Sequence, residues 1–293
     1  MGLKIRFRCI KGSLNKNHIP KLAIELSYRK MGQGPPMIIL HGLYGSSDNW
    51  LSIGKAFAPK FDVYLPDQRN HGKSPHTKEH TYTLLRNDLH GFMESHGIEK
   101  AIILGHSMGG KAAMYFAVAW PEKVQALIVV DITPGSYKSL ITPAPQSVNH
   151  MNIISSMLSV DFSRVNNRED VNSILKETIP SQRVRHFLLK NIKRNKTGGY
   201  EWRLNIRTLH DQLPRILDGL DPKPFLNGNG ITGFPVLFIR AEKSGYIREE
   251  DKALIKTIFP MAEMVTIPGA DHWVHVEKPE LLIKTIEYFI FGD

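Results

Sequence analysis

Apolar runs without alternation recur along the chain at Met37–Leu40, Val63–Leu65, Ala101–Leu104, Ala126–Val130 and Val236–Ile239. A short apolar run bounded by turn residues marks a strand buried on both faces. Between these runs the 3.6-residue period predicts helices over Ser47–Ala58, Tyr82–Ser95, Met108–Ala119, Glu249–Phe259 and Pro279–Phe291. Leu3–Cys9 and Leu22–Tyr28 alternate apolar with polar residues, the period of half-buried strands, and Met264–Ile267 is a further short strand. Strands alternating with helices imply an α/β fold, a mostly parallel sheet with right-handed crossovers.

The alternation stops between Ile132 and Thr232. Pro134, Pro143 and Pro145 open that block, and helical patterns follow at Val171–Lys176, Arg183–Lys193 and Ile206–Leu217. No strand candidate stands out inside it. The block reads as a helical cap, residues 132–232, inserted into a core of residues 1–131 and 233–293. Such an insert would lie over the sheet's C-terminal edge, where ligands bind in open α/β sheets. Asn227-Gly228-Asn229-Gly230 reads as the returning linker.

Composition adds limits. With 293 residues, the chain buries enough surface to need no metal or disulfide staple. Its one cysteine, Cys9, leaves no intrachain disulfide and no cysteine-based zinc site, which fits a reducing compartment and a cytoplasmic address. No apolar stretch has the length of a membrane span. The net charge of +10 raises nucleic acid as a partner. Between Ser163 and Arg207, however, 11 basic residues face 4 acidic ones without a nucleic-acid motif or interleaved aromatics. Arg183, Arg185, Lys190, Lys193, Arg194 and Lys196 read as a solvated helical face. Attraction of an anionic substrate such as an acyl-CoA is the other reading.

Gly105-His106-Ser107-Met108-Gly109 follows a buried strand and opens a helix. That is the context of a nucleophile elbow, in which a tight turn lifts the serine hydroxyl above the sheet. Ser107 also sits where a helix N-terminus favours negative charge. The same stretch nearly matches a phosphate-binding loop through Gly110-Lys111, but Ala112 stands where a magnesium-binding hydroxyl is needed. A serine elbow needs an oxyanion donor from elsewhere. His41-Gly42-Leu43-Tyr44-Gly45 follows the Met37–Leu40 strand, so the backbone N–H groups of Leu43 and Met108 are the candidates. His41 and His71 read as structural hydrogen bonders.

The base should be a late histidine beyond the last strand, since this architecture runs serine, acid, histidine. His272 follows Met264–Ile267 and a glycine turn, with His275 as packing beside it. The acid commonly follows the penultimate strand in a G-x-x-D pattern, yet Ala241-Glu242-Lys243-Ser244-Gly245 places Ser244 at that position. A serine cannot offset an imidazolium charge. Asp131, ending the Ala126–Val130 run, is the favoured acid, because a carboxylate there needs a role to offset its burial. Glu242 and Asp271 are the alternatives.

His41-Gly42-Leu43-Tyr44-Gly45-Ser46-Ser47-Asp48-Asn49-Trp50, Asp67-Gln68-Arg69-Asn70-His71-Gly72-Lys73-Ser74, Gly105 to Lys111 and Gly269 to His275 together resemble the α/β-hydrolases of the YbfF-like esterase branch, over nearly the whole chain. The resemblance implies an α/β-hydrolase fold with a cap inserted after the family's sixth strand, and it maps the branch's acid onto Asp131. The branch usually has glycine where this chain has Asp271. It implies a serine carboxylesterase or thioesterase for short-chain acyl or acyl-CoA substrates, with no cofactor or metal, acting as a monomer or homodimer. An acyltransferase that passes the acyl group to an alcohol is the close rival. A non-catalytic receptor of the same fold is the rival from another class.

Overall fold

The computed structural model describes residues 23–138 and 150–292. Leu3–Cys9 lies outside the described residues. The strands are β1 (Tyr28–Met31), β2 (Pro36–Leu40), β3 (Asp62–Pro66), β4 (Ala101–His106), β5 (Val124–Val130), β6 (Ile192–Arg194), β7 (Tyr200–Trp202), β8 (Val236–Ala241) and β9 (Ala262–Ile267). Seven of them form one sheet in the order β1-β3-β2-β4-β5-β8-β9, parallel except for β1. All five apolar runs are strands of this sheet, each a residue or two longer than its run.

Leu22–Tyr28 is different. Among the described residues of that stretch, 23–28, only Tyr28 is in a strand, because the backbone before it is claimed by side chains: Ile24 N–H donates to Asp88 (3.0 Å) and Ser27 N–H to Ser74 (2.9 Å).

Alternate residues of each strand feed two cores. Ile38, Leu40, Ile103, Leu127 and Phe238 pack on one face with α2 (Tyr82–Ser95) and α3 (Met108–Ala119), which follow α1 (Leu51–Phe57) in the chain. Met37, Ile39, Leu104, Ile128 and Leu237 pack on the other, against Ile53 and Phe57 of α1. A sheet covered on both faces explains the unbroken apolar runs.

The segment between β5 and β8 carries α4 (His150–Leu158), α5 (Arg168–Lys176), α6 (Gln182–Leu189), α7 (Ile206–Asp211) and α8 (Leu213–Ile216). It is not wholly helical. The expected helix Arg183–Lys193 ends at Leu189, and β6 pairs antiparallel with β7 as a hairpin. The pattern at Ile206–Leu217 breaks into α7 and α8 at Gln212, ahead of Pro214. After β8 come α9 (Asp251–Ile258), then α10 (Val274–Glu277) and α11 (Pro279–Phe291), whose Leu282 and Ile286 complete the second core. Among the described residues no helix is long and apolar enough to cross a membrane.

Where this segment leaves and rejoins the sheet, α2 and α3 hold it. Lys111 of α3 is fully buried, and its ammonium donates to the carbonyls of Gly135 (2.7 Å) and Asp218 (2.6 Å), one on each side of the crossing. Tyr82 and Tyr115 donate to the carbonyls of Ile216 (2.7 Å) and Gly219 (2.8 Å). Lys111 is therefore an anchor of this segment in the described structure.

Candidate active site

Loops after β2, β4, β5, β8 and β9 converge at the C-terminal edge of the sheet. Ser107 sits between β4 and α3 at φ +53° and ψ −124°, the strained turn that an elbow requires. The flanking glycines are there for contact. A Cβ on Gly105 would stand 2.3 Å from the Gly109 carbonyl oxygen, and one on Gly109 would stand 2.4 Å from that of Leu40. Ser107 N–H donates to the Val130 carbonyl (3.0 Å), tying the turn to the neighbouring strand end.

His272 arrives on the loop after β9, as the chain order predicts. Its Nε2 lies 3.0 Å from Ser107 Oγ and its Nδ1 lies 2.8 Å from Asp131 Oδ2. The carboxylate can only accept, so Nδ1 carries the proton and Nε2 faces the serine hydroxyl with a free lone pair. Asp131 is wholly buried at φ +52°. Its Oδ1 accepts from Ala241 N–H (3.0 Å) and its own N–H donates to the Ile239 carbonyl (2.8 Å), so β8 fixes both ends of the residue.

The alternative acids point elsewhere. Glu242 accepts from Gly269 N–H (2.7 Å), and Asp271 accepts from the His272 backbone N–H (2.8 Å) rather than the ring. Ser244, in the position where an acid is commonly found, accepts from Tyr246 N–H (3.1 Å).

Leu43 lines the same cavity as Ser107 and His272. Met108 is the first residue of α3, where a backbone N–H has no partner within the helix. Both N–H groups are thus at the Ser107 turn or on the loop facing it. His41 is structural: Nδ1 donates to the Gly42 carbonyl (2.9 Å) and Nε2 accepts from Gln68 N–H (2.9 Å). Burial lowers its pKa. His71 likewise holds its loop by donating to the Arg69 carbonyl (2.9 Å). His275 stacks on Trp50 at 4.5 Å, and burial drives its pKa down to about 3, so it stays a neutral packing group.

Three contributors carried no sequence signal that pointed to them. His106 donates from Nε2 to the His272 carbonyl (2.8 Å) and is held neutral by burial and by its neighbour His272. Tyr246 stacks on the His272 ring with centroids 3.9 Å apart and planes 18° from parallel. His150, at the start of α4, is hydrogen-bonded to the Tyr246 hydroxyl at 2.7 Å, and burial lowers its pKa to about 4. The outer wall of the cavity comes from the segment between β5 and β8, through His150, Ile153, Val184, Phe187 and Leu188.

The basic set is not one solvated face. Arg185 turns inward onto Asn172 and the carbonyls of Ile179 and Pro180. Lys193 and Arg194 belong to the hairpin, against Glu201 and the Tyr200 ring. Arg183 and Lys190 instead border an outer pocket that shares Phe187 and Trp273 with the Ser107 cavity. Among the described residues no group of three or more His, Cys, Asp or Glu side chains could hold a metal ion.

Comparison with known proteins gives a consistent picture. Residues 35–279 match the alpha/beta hydrolase fold family. The chain is similar to the solved structure of a marine microorganism esterase, with 44% identity and a TM-score of 0.84, covering 91% of this chain and 100% of that one. It is 31% identical to esterase YbfF of Escherichia coli over 255 residues, 87% of this chain and 92% of the relative. It is 32% identical over 270 residues to a probable alcohol acetyltransferase of Saccharomyces cerevisiae, 87% of this chain and 77% of that protein.

Proposed function

The chain belongs to the α/β-hydrolase family, and from that premise we propose that it is a serine hydrolase of carboxylic esters or thioesters, with Ser107, His272 and Asp131 as its triad. One observation carries the reading: a single imidazole bridges Ser107 Oγ and a buried carboxylate through its two nitrogens. That is the arrangement of a nucleophile, its base and the group that orients the base.

The chemistry then follows in two halves. His272 Nε2 takes the Ser107 proton as Oγ attacks the acyl carbonyl. The oxyanion is held by the N–H groups of Leu43 and Met108. As the tetrahedral intermediate collapses, the C–O or C–S bond breaks and the imidazolium returns its proton to the leaving alcohol or thiol. Water, deprotonated by His272, attacks the acyl-enzyme; the acyl C–Oγ bond then breaks, the imidazolium returns the proton to Ser107 Oγ, and the acid is released. Asp131 holds the Nδ1–H tautomer and stabilises the imidazolium in both halves.

Residues 132–232 act as the cap over a core of residues 1–131 and 233–293. Side chains from α4 and α6 close the cavity over Ser107, which supports this division. The single thiol, Cys9, supports a reducing cytoplasmic setting. Transfer of the acyl group to an alcohol is the second reading, favoured by the similarity to the yeast acetyltransferase. The test is a panel of p-nitrophenyl esters from acetate to palmitate, with and without added ethanol. Free acid as product supports the hydrolase, and ethyl ester supports the transferase. Failure of Ser107 to react with a fluorophosphonate probe would overturn both and leave a non-catalytic receptor.

A further inference from the structure

Tyr246 stands on the loop after β8, two residues beyond Ser244. Its ring lies on the face of the His272 imidazole, with centroids 3.9 Å apart and planes 18° from parallel. Two contacts hold its backbone and one holds the ring's hydroxyl. Ser244 Oγ accepts from its N–H (3.1 Å), Tyr137 donates to its carbonyl (2.5 Å), and its hydroxyl is hydrogen-bonded to His150 Nε2 (2.7 Å). Tyr137 is itself held by Thr133 N–H (3.0 Å), two residues after Asp131.

The base needs such a support. One hydrogen bond from Nδ1 to Asp131 fixes a point on the imidazole but not its plane. The ring can tilt about that bond and carry Nε2 away from Ser107 Oγ. An aromatic face held parallel to the imidazole removes that freedom. It also attracts the positive charge that the ring gains when it takes the serine proton. We infer that Tyr246 is a positioning residue for His272, and that Ser244 sets the turn that presents it. The inference rests on the proposed role of His272 as the base. It gives the loop after β8 a task other than carrying the acid, and His150 connects that task to α4 in the cap.

The experiment compares wild type, Tyr246→Leu and Tyr246→Phe on p-nitrophenyl butyrate. It also follows the downfield NMR signal of the His272 Nδ1–H proton bonded to Asp131. Tyr246→Leu should lower kcat by about 10²-fold, the scale of a small misplacement of a reacting group, with KM within about threefold. Its downfield proton should broaden as the ring loosens. Tyr246→Phe keeps the aromatic face, so it should retain most of kcat and a sharp proton signal. A folded Tyr246→Leu enzyme with wild-type kcat and a sharp signal overturns the inference. So does a Tyr246→Phe enzyme as impaired as Tyr246→Leu, since the hydroxyl rather than the ring face would then matter. If Tyr246→Leu does not fold, Ser244→Ala removes only the hydroxyl that fixes the turn. It must then lower kcat and broaden the proton, and wild-type values would overturn the inference. A wild-type protein inert to every ester would count against the hydrolase reading alone. The proton signal would still decide whether Tyr246 holds the ring.

Discussion

Asp131 reaches His272 from the end of β5, one strand away from the loop in which Ser244 occupies the commoner acid position, and closes to 2.8 Å across 141 positions of sequence. The carboxylate spends its second oxygen on Ala241 N–H at 3.0 Å, so it is anchored to the neighbouring strand while it orients the imidazole. Asp131→Asn keeps the shape but replaces an acceptor with an amide that can favour the wrong His272 tautomer. The change should lower kcat by about 10³ to 10⁴, as the matching substitution does in serine proteases. Glu242→Gln and Asp271→Asn should cost far less, since their carboxylates accept backbone N–H groups of Gly269 and His272 instead. Steady-state kinetics of the three single variants checks this. A crippled Glu242→Gln beside a near-normal Asp131→Asn would move the acid to the β8 loop.

The Gly109–Leu40 approach sets a second expectation. A Cβ at position 109 would stand 2.4 Å from the Leu40 carbonyl oxygen and 2.5 Å from that of His41. Both are backbone atoms and neither can rotate away. Gly109→Ala should push the first turn of α3 off the end of β2, separating Met108 N–H from the Leu43 loop. Destabilisation of about 1–3 kcal/mol and a loss in kcat of about 10² are expected, without a matching rise in KM. Thermal melts and kinetics on one preparation test both halves, and an unchanged kcat would refute the packing argument.

The fold was legible wherever burial forced a long pattern. Tyr82–Ser95, Met108–Ala119 and Pro279–Phe291 are helices over the ranges that the apolar period gives. The buried strands show as apolar runs because both faces of the sheet are covered. The meeting of Ser107 with His272 was readable because glycine turns and chain order are local signals. The β6–β7 hairpin was not. Its strands have three residues each, too few to display a period, and the basic run through Lys193 continues the helical pattern of α6. Tyr246 was equally silent. Its partner ring lies 26 positions away, and stacking leaves no trace in the spacing of residue types.

Arg183 and Lys190 border the outer pocket that shares Phe187 and Trp273 with the Ser107 cavity, while Arg183 is paired with Glu277 and lies over Trp273. If these cations steer an anionic substrate, kcat/KM for an acyl-CoA should fall as salt shortens the Debye length from about 10 Å at 0.1 M to about 3 Å at 1 M. A neutral p-nitrophenyl ester should barely respond. Lys190→Gln should weaken the acyl-CoA salt response and leave the neutral ester alone. Equal responses for both substrates would eliminate steering.

Lys111 gives a pH dependence whose sign can be worked out. Burial outweighs the pull of Asp218 and Asp251 and pushes its ammonium down to about 7, against 10.5 in an exposed lysine. A group whose folded pKa is depressed in this way binds protons more readily in the unfolded chain between those two values. Stability must therefore rise with pH from about 7 towards 10.5, with a limiting slope of about 1.4 kcal/mol per pH unit from this group. The ammonium keeps two carbonyl partners, Gly135 and Asp218, and lies 4.6 Å from the Tyr137 ring centroid. Losing its proton therefore leaves the amine with a donor for each carbonyl, and the anchor between α3 and the two crossing strands of chain stays in place. Lys111→Met removes the titration but also strands those two buried carbonyls. The variant should be less stable at pH 7 by about 1–3 kcal/mol per unsatisfied group, and the gap should widen between pH 7 and 9.5 as wild type gains stability. Urea unfolding of both proteins at half-unit pH steps measures the gap directly. A gap that stays constant or narrows over that range would show that Lys111 keeps an ordinary pKa in the folded protein.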